Sequence, residues 1–205
     1  MNVSNKVDWE IDPARSALLL QDLKGPHLAP LPARERAALH AEAERLARLC
    51  AARGMPVFIC EMAPAGIGGA EGLMRDMWGN AASPGAPAPG LRLDGLAAHE
   101  VMRRGYSAFF GSDLEVMLRR LSRDSLLVAG LHTSIGCLST AIDAFMRDIR
   151  PIMVADAMAD FSPEEHEAGL RKAAQTCARV VEMSEIVAAL AVPRRPQFAW
   201  TFDVC

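Results

Sequence analysis

Reactive side chains in this sequence directly follow two apolar runs. The run at residues 16–21 ends in Asp22, and the run at 125–129 leads through a glycine turn to His132 and Cys137. A carboxyl group among apolar residues can stay protonated and act as a general acid, a histidine can carry a proton, and a cysteine can act as a nucleophile. Ligands of open α/β sheets bind at the carboxyl ends of the strands. Both runs therefore predict a small-molecule site at one edge of a sheet.

Strand-like apolar runs alternate with helical periodicity along the chain. Strands are predicted at 16–22, 56–60, 100–103, 125–129, 151–155 and 180–183, and helices at 33–53, 73–78, 113–121, 135–147, 162–178 and 184–190. Such alternation is typical of a parallel sheet covered by helices on both faces. The sequence thus predicts an α/β fold with three layers, α/β/α, around a mostly parallel six-stranded sheet.

The size and charge of the chain exclude several classes of protein. Its 205 residues suit one domain spanning 1–205, and a net charge of −3 offers no basic surface for nucleic acid. No apolar run reaches the ~20 residues that cross a bilayer and no signal core is present, so we expect no membrane partner and a cytoplasmic location. The five cysteines form no CxxC pair, which argues against disulfides and structural zinc. We expect no metal and no cofactor.

Several motifs, taken in order, resemble the isochorismatase-like hydrolases. They are Asp76-Met77-Trp78-Gly79, Tyr106-Ser107-Ala108-Phe109 and the longer segments 136–149 and 154–162. The resemblance is greatest to the branch that cleaves the enol-pyruvyl ether of isochorismate or 2-amino-2-deoxyisochorismate. It implies the Rossmann-like fold of that family, and the release of pyruvate and a dihydro-hydroxy ring acid in secondary-metabolite biosynthesis.

The resemblance also decides the role expected of Cys137. Most members of the superfamily use a cysteine nucleophile four residues before a threonine of the following helix. The residue four positions before Thr140 is Gly136, and the enol-ether branch likewise has glycine there, followed by cysteine. Gly136 therefore implies a reaction without a covalent intermediate, with Asp22 at the family's acid position. Cys137 is interpreted as a small buried helix residue.

Other pocket positions depart from the family pattern. Its lysine is replaced by Arg103, which can clamp a carboxylate with two parallel hydrogen bonds but cannot share a proton as lysine can. A family glutamine is replaced by Met62, and a family arginine aligns with Glu71. The family's Tyr-Ala-His is replaced by His132-Thr133-Ser134, and its cis non-proline peptide falls at Leu131–His132.

These residues define the predicted site. Asp22 and Arg103 are the predicted catalytic residues. The predicted substrate-binding residues are His132, Thr133, Gly136, Trp78, Met62 and Phe109. Two alternatives stay open: His132 as a partly buried histidine with satisfied hydrogen bonds, and Trp78 and Phe109 as core residues. His27, His40 and His99 show no convergent partners in the sequence, and His166 is predicted to lie on the surface.

Three functions are compatible with this site. The leading hypothesis is hydrolysis of an enol-pyruvyl ether in a small-molecule carboxylate, with Asp22 as general acid. The second is an enzyme of the same fold with another substrate, which the changes at Met62 and Glu71 motivate. The third is a non-catalytic homologue whose pocket is plugged by Arg103 paired with Asp22.

Two further segments bear on ligand access and assembly. Residues 63–95 are rich in glycine and proline and are predicted to form a long binding loop or lid. The tail 191–205 carries Phe198, Trp200 and Phe202, and is too apolar to stand free in water. We expect it to pack on its own domain or on a neighbouring subunit. Since family members generally associate, a homodimer or higher homo-oligomer is expected.

Overall fold

A six-stranded sheet lies at the centre of the protein, which a computed structural model describes at residues 3–63, 73–78 and 91–191. The strands are β1 (Ser16–Gln21), β2 (Val57–Met62), β3 (Ala98–Arg103), β4 (Ser125–Gly130), β5 (Arg150–Met158) and β6 (Arg179–Val181). Neighbouring strands are all parallel, in the order β3-β2-β1-β4-β5-β6. The predicted α/β fold with a six-stranded sheet is confirmed.

Helices cover both faces of this sheet. They are α1 (Ala33–Ala52), α2 (Leu73–Trp78), α3 (Leu114–Arg120), α4 (Leu138–Phe145), α5 (Pro163–Thr176) and α6 (Met183–Ala191). Leu18 and Leu20 of β1 belong to the core beneath α1 and α6, whereas Ala17 and Leu19 belong to the core beneath α3, α4 and α5. Successive side chains of a strand point to opposite faces, so a strand covered on both sides must be apolar throughout. This requirement explains the unbroken apolar runs in the sequence.

The strand order reverses between β1 and β4. From β1 the chain continues outward to β2 and β3 on one side, and from β4 to β5 and β6 on the other. The helices that follow β1 and β4 therefore leave on opposite faces, and a crevice opens between the carboxyl ends of these two strands. Asp22 follows β1 and Gly130 ends β4, so the fold itself brings the two predicted motifs together.

Gly130 allows this close approach of the two central strands. Its φ is +121°, and a Cβ atom at this position would lie 2.0 Å from the carbonyl oxygen of Gln21. The same carbonyl accepts a hydrogen bond of 3.0 Å from the backbone N–H of Leu131. No L side chain fits this conformation or this space, so the turn requires glycine.

The boundaries differ from the sequence prediction in a few places. The predicted helix at 135–147 is a π-helical turn, Thr133–Cys137, followed by the shorter α4. Strand β5 continues to Met158 because Gly130 pairs with Met158 after a register shift in β4. A short 3₁₀ turn, Gly25–Leu28, lies between β1 and α1. The predicted start of α5 is confirmed, since the Ser162 side chain accepts a hydrogen bond from the backbone N–H of Glu165.

Some predictions fall on residues outside the described ranges. These are Glu71, most of the predicted lid at 63–95, and the tail from residue 192 onward. Among the helices that the structure describes, none combines the length and the apolar character required to cross a bilayer.

Replacing Gly130 with alanine tests the close approach of β1 and β4. We expect Gly130→Ala to lower the free energy of unfolding by about 3 kcal/mol or more, since it combines a strained φ with a backbone clash. The control is Gly95→Ala, where φ is +75° but no atom lies within 4 Å of the added Cβ, and where we expect a loss of about 1 kcal/mol. Urea unfolding measures both, and equal losses would contradict the steric argument.

Candidate active site

Asp22 is held in place by the ends of two strands. It lies one residue beyond β1 with a φ of +55°, a left-handed conformation that aspartate tolerates better than most side chains. Its backbone N–H donates to the carbonyl of Cys60 in β2 at 2.9 Å. The residue is 3% exposed. The backbone thus turns the carboxylate out of the strand direction at the crevice while keeping it away from bulk water.

A buried ion pair joins Asp22 to Arg103. Arg103 is the last residue of β3 and is 2% exposed, and its Nη2 donates to Oδ2 of Asp22. Its Nη1 donates to the carbonyl of Gly105 and lies 3.8 Å from the sulfur of Met62. Two polar atoms, Oδ1 of Asp22 and Nε of Arg103, are buried without a hydrogen-bond partner among the described residues. The pair therefore keeps one acceptor and one donor available.

Three ring side chains form a wall beside this pair. The rings of His132 and Phe161 are stacked with centroids 4.0 Å apart, and those of Phe161 and Trp78 are stacked at 6.0 Å. Trp78 is oriented further by its Nε1, which donates to the hydroxyl of Tyr106 at 2.9 Å. A flat, apolar wall of this kind suits the face of a planar or unsaturated ring.

His132 begins the π-helical turn after the predicted cis peptide at Leu131–His132, which is present. Burial lowers the pKa of its imidazole below the usual range, and the nearby charge of Asp160 opposes this effect without reversing it. Its Nε2 is buried and has no hydrogen-bond partner in the described part of the chain. Within the described residues one ring nitrogen of His132 thus lacks a hydrogen-bond partner, and the lowered pKa favours the neutral imidazole.

The ion pair and the aromatic wall enclose a cavity of about 170 Å³. Its lining residues are Asp22, His27, Pro30, Met62, Met74, Trp78, Arg103, Tyr106, His132, Ile135, Gly136 and Phe161. Six predicted site residues are in this set: Asp22, Arg103, His132, Gly136, Trp78 and Met62. No pattern in the sequence indicates a site role for His27, and Phe161 and Tyr106 stand out only as members of the motifs at 154–162 and 106–109.

The packing of Gln21 explains why position 136 is glycine. A Cβ atom at Gly136 would lie 2.5 Å from Nε2 of Gln21. That amide nitrogen donates to the backbone carbonyl of Tyr106 at 3.1 Å, and the side-chain Oε1 of Gln21 accepts from the Thr140 hydroxyl at 2.8 Å. The amide thus occupies the space that a side chain at position 136 would need, and it fixes the segment carrying Tyr106.

Cys137 is a structural residue, as the sequence predicts. It is completely buried, and burial raises the pKa of its thiol far above the ordinary value. Its Sγ donates to the carbonyl of Leu131 at 3.5 Å, and the residue does not line the cavity. A thiol held neutral in this way is a poor nucleophile.

Two predicted substrate-binding residues do not line the cavity. Thr133 is completely buried, and its hydroxyl contacts the carbonyl of Ala159 at 3.1 Å and Nδ1 of His166 at 2.7 Å. Phe109 lies in the core, with the guanidinium of Arg147 5.0 Å from its ring centroid. Both residues are therefore buried outside the cavity lining. His166 contacts Thr133 and is partly buried, so it is less exposed than its predicted surface position implies.

A second carboxyl group, Glu61, lies close behind Asp22. Its Oε1 accepts a hydrogen bond of 3.1 Å from the backbone N–H of Lys24, two residues after Asp22. Burial, reinforced by the charge of Asp22 and opposed by Lys24 and Arg103, raises the pKa of Glu61 to about 8. Glu61 does not line the cavity, so it affects the electrostatics of the site without touching a ligand.

The described residues contain no group of three or more His, Cys, Asp or Glu side chains that could hold a metal ion.

The raised pKa of Glu61 predicts a pH-dependent stability. The folded pKa of about 8 lies above the ordinary value of 4.5, so the folded state retains a proton that the unfolded chain loses. Stability conferred by this proton is complete below pH 4.5 and is lost progressively as pH rises to about 8. Relative to Glu61→Gln, the wild type should lose a few kcal/mol across this window, as measured by urea unfolding.

The matched control for this experiment is Glu100→Gln. Glu100 is the same residue type and its Oε1 lies 3.6 Å from Nζ of Lys24, but its side chain is 69% exposed. Its removal should leave the pH dependence of the wild type in place. If Glu61→Gln and wild type show parallel curves, Glu61 does not retain its proton.

Comparison with known proteins places this geometry in a family. The isochorismatase domain family matches residues 16–185, which include both strands of the crevice. The chain is 37% identical over 191 residues to the phenazine biosynthesis protein PhzD1 of Pseudomonas aeruginosa, covering 90% of each chain. It is 38% identical over 196 residues to enterobactin synthase component B of Escherichia coli, covering 90% of this chain and 67% of that protein.

Solved structures show the same fold. A cysteine hydrolase from Pseudomonas syringae matches with a TM-score of 0.78 and 23% identity, covering 93% of this chain and 99% of that one. An isochorismatase family protein from Burkholderia thailandensis matches with a TM-score of 0.71 and 24% identity, covering 89% and 98%. With the family match and the relatives above, these findings show that the chain belongs to the isochorismatase family of hydrolases.

Proposed function

We propose that this protein hydrolyses the enol-pyruvyl ether of isochorismate or 2-amino-2-deoxyisochorismate in secondary-metabolite biosynthesis. The products are pyruvate and a dihydro-hydroxy ring acid. The observation that carries the proposal is a buried carboxyl group, Asp22, facing a largely apolar cavity in which Gly136 stands in place of a nucleophile. Similarity to proteins named for phenazine biosynthesis and enterobactin synthesis supports the same pathway class.

The site provides an acid but no covalent nucleophile. Among the described residues that line the cavity, Asp22 is the only carboxylic acid, and no cysteine or serine is present. Cleavage of an enol ether begins when an acid protonates the terminal methylene carbon, which leaves an oxocarbenium ion. Water adds to this ion, and the resulting hemiketal collapses to pyruvate and an alcohol. Each step proceeds without a covalent enzyme intermediate.

Substrate binding favours the protonated form of Asp22 that the reaction needs. In the free site, Arg103 neutralises the carboxylate of Asp22. A substrate carboxylate that binds Arg103, for which the unused Nε is a donor, shares this positive charge and adds a negative charge beside Asp22. A carboxyl group that is buried next to another carboxylate favours the protonated form. Asp22 therefore takes up a proton from solvent as the substrate binds.

The cavity walls suit a ring acid of this type. Trp78, Phe161 and His132 present stacked faces on one side, and the free Nε2 of His132 offers one hydrogen bond to a polar substituent. We also propose a cytoplasmic location, which four cysteines free of disulfide bonds support, and assembly as a homodimer or higher homo-oligomer, which the apolar tail at 191–205 favours.

The ion pair between Asp22 and Arg103 also favours a second candidate function. It corresponds to the contact expected of a non-catalytic homologue, although a cavity is still present beside it. Met62, which places a thioether against Arg103, supports a same-fold enzyme with a different substrate. Both alternatives exclude pyruvate release from the two substrates named above.

Pyruvate release tests the proposed function. A coupled assay with each substrate should show turnover by the wild type, and Asp22→Asn should lower it by about 10³-fold, since general acids contribute about 10²- to 10⁴-fold. The control is Asp113→Asn, an exposed carboxylate at the start of α3 whose side chain makes no capping hydrogen bond. No release from either substrate, or full turnover by Asp22→Asn, would refute the proposal.

A cysteine variant tests the non-covalent mechanism. Because Cys137 is buried and does not line the cavity, Cys137→Ala should keep kcat close to the wild-type value and lower thermal stability slightly. Steady-state kinetics and a melting curve measure the two effects. A folded Cys137→Ala protein with a hundredfold lower kcat would indicate that the thiol takes part.

A further inference from the structure

A histidine stands opposite the acid in the same cavity. His27 lies in the 3₁₀ turn Gly25–Leu28, and its Nε2 is 3.8 Å from Oδ1 of Asp22. This oxygen is the one that Arg103 does not engage, and it is buried without a hydrogen-bond partner in the described chain. The side chain of His27 is 22% exposed, against 4% for that of Asp22. His27 therefore connects a buried, half-satisfied carboxyl group to solvent.

The separation of His27 Nε2 and Asp22 Oδ1 suits proton exchange after a small adjustment. At 3.8 Å the two atoms are slightly too far apart for a hydrogen bond, but a small rotation of the imidazole, or one bridging water, joins them. The other ionisable groups around this point are Arg103, which is engaged with the opposite oxygen of Asp22, and the His132 imidazole and Tyr106 phenol of the cavity lining. Glu61 lies behind Asp22 and interacts with its charge. Of the two histidines, only His27 has a carboxylate within ion-pair distance among the contacts described.

We propose that His27 is the second acid–base group of this site, which exchanges a proton with Asp22 during turnover; this inference rests on the proposed enol-ether hydrolysis. Asp22 donates its proton to the methylene carbon, a C–H bond forms, and the double-bond electrons move to leave the oxocarbenium ion. Water adds to that ion, and its proton passes to the neutral Nε2 of His27. The hemiketal then transfers its hydroxyl proton to the departing ring oxygen as the C–O bond breaks.

The cycle closes within the pair. The imidazolium of His27 returns its proton to Oδ1 of Asp22, so both groups regain their starting forms, and the net change is the addition of one water to the ether. Arg103 stabilises Asp22 while it is ionised between the two transfers. A carboxylate facing an imidazolium is favourable, so the intermediate state with both groups charged is the one that this geometry stabilises.

Activity measurements on His27 variants test this role. His27→Phe keeps the aromatic volume but removes both nitrogens, and should lower kcat by about 10²-fold with a nearly unchanged KM. It should also remove one limb of the pH profile of kcat. His27→Ala should regain activity with added imidazole. The control is His99→Phe. His99 is exposed and lies near the amino end of β3, away from the cavity, and a phenyl ring at this position keeps the stacking on Phe58.

NMR of the imidazole nitrogens separates this inference from the proposed function. The Nε2 resonance of His27 should differ between Asp22→Asn and the wild type, because an amide replaces the carboxylate that faces this nitrogen, whereas the resonances of His99 should stay unchanged. The substituted amide still accepts from Arg103, so the fold should be retained. A wild type that releases no pyruvate refutes the proposed function, while an unmoved His27 resonance, or an active His27→Phe enzyme with the wild-type pH profile, refutes the role of His27.

Discussion

The buried ion pair between Asp22 and Arg103 spans the carboxyl edge of three strands. Arg103 ends β3, Asp22 follows β1, and β2 lies between them, so the guanidinium must reach across roughly 10 Å, two strand spacings. Either charge would be costly if buried alone. The register that pairs Met62 with Arg103 and Gln21 with Cys60 is what allows the two to meet. The substrate site thus depends on an exact alignment of β1, β2 and β3.

The electrostatics of the site follow from that pair. One oxygen of Asp22 is neutralised by Arg103, and the other faces His27 across the cavity. Behind them Glu61 adds a carboxyl group whose pKa is raised by burial and by Asp22. The lining that remains is mainly apolar and aromatic. Arg103 therefore acts on both acidic groups, while Lys24 acts on Glu61 as well, so an additional carboxylate on the substrate strongly influences which of these groups hold protons.

The fold and half of the site could be predicted from the sequence because their signals are local. Continuous apolar runs identified β1 and β4, and residues that follow such strands must meet at one edge. The family resemblance implies a glycine at position 136, four residues before Thr140, and the structure explains it by the amide of Gln21. Thr133 was misassigned because the π-helical turn and the hydrogen bond to Ala159 direct its hydroxyl inward. Ordinary helical spacing does not reveal such a turn.

The rest of the site depends on contacts between distant segments. Phe161 follows β5 and stacks on Trp78, more than eighty residues earlier, and no pattern in either segment indicates the other. The sequence does not indicate that His27 faces Asp22, because the two side chains meet only when the chain after β1 folds into a 3₁₀ turn. The raised pKa of Glu61 has the same origin, since burial at the end of β2 arises only when the chain after Asp22 folds over it.

The close packing of Gln21 against Gly136 also bears on how this fold could change its chemistry. A covalent mechanism would need a reactive side chain at position 136, where the amide nitrogen of Gln21 lies 2.5 Å from the required Cβ. Gln21 cannot simply withdraw, because it also holds Tyr106 and Thr140. Acquiring a nucleophile is therefore an epistatic step, in which positions 21 and 136 must be altered together. In protein engineering, a single substitution at Gly136 would disturb the scaffold before it created a new catalyst.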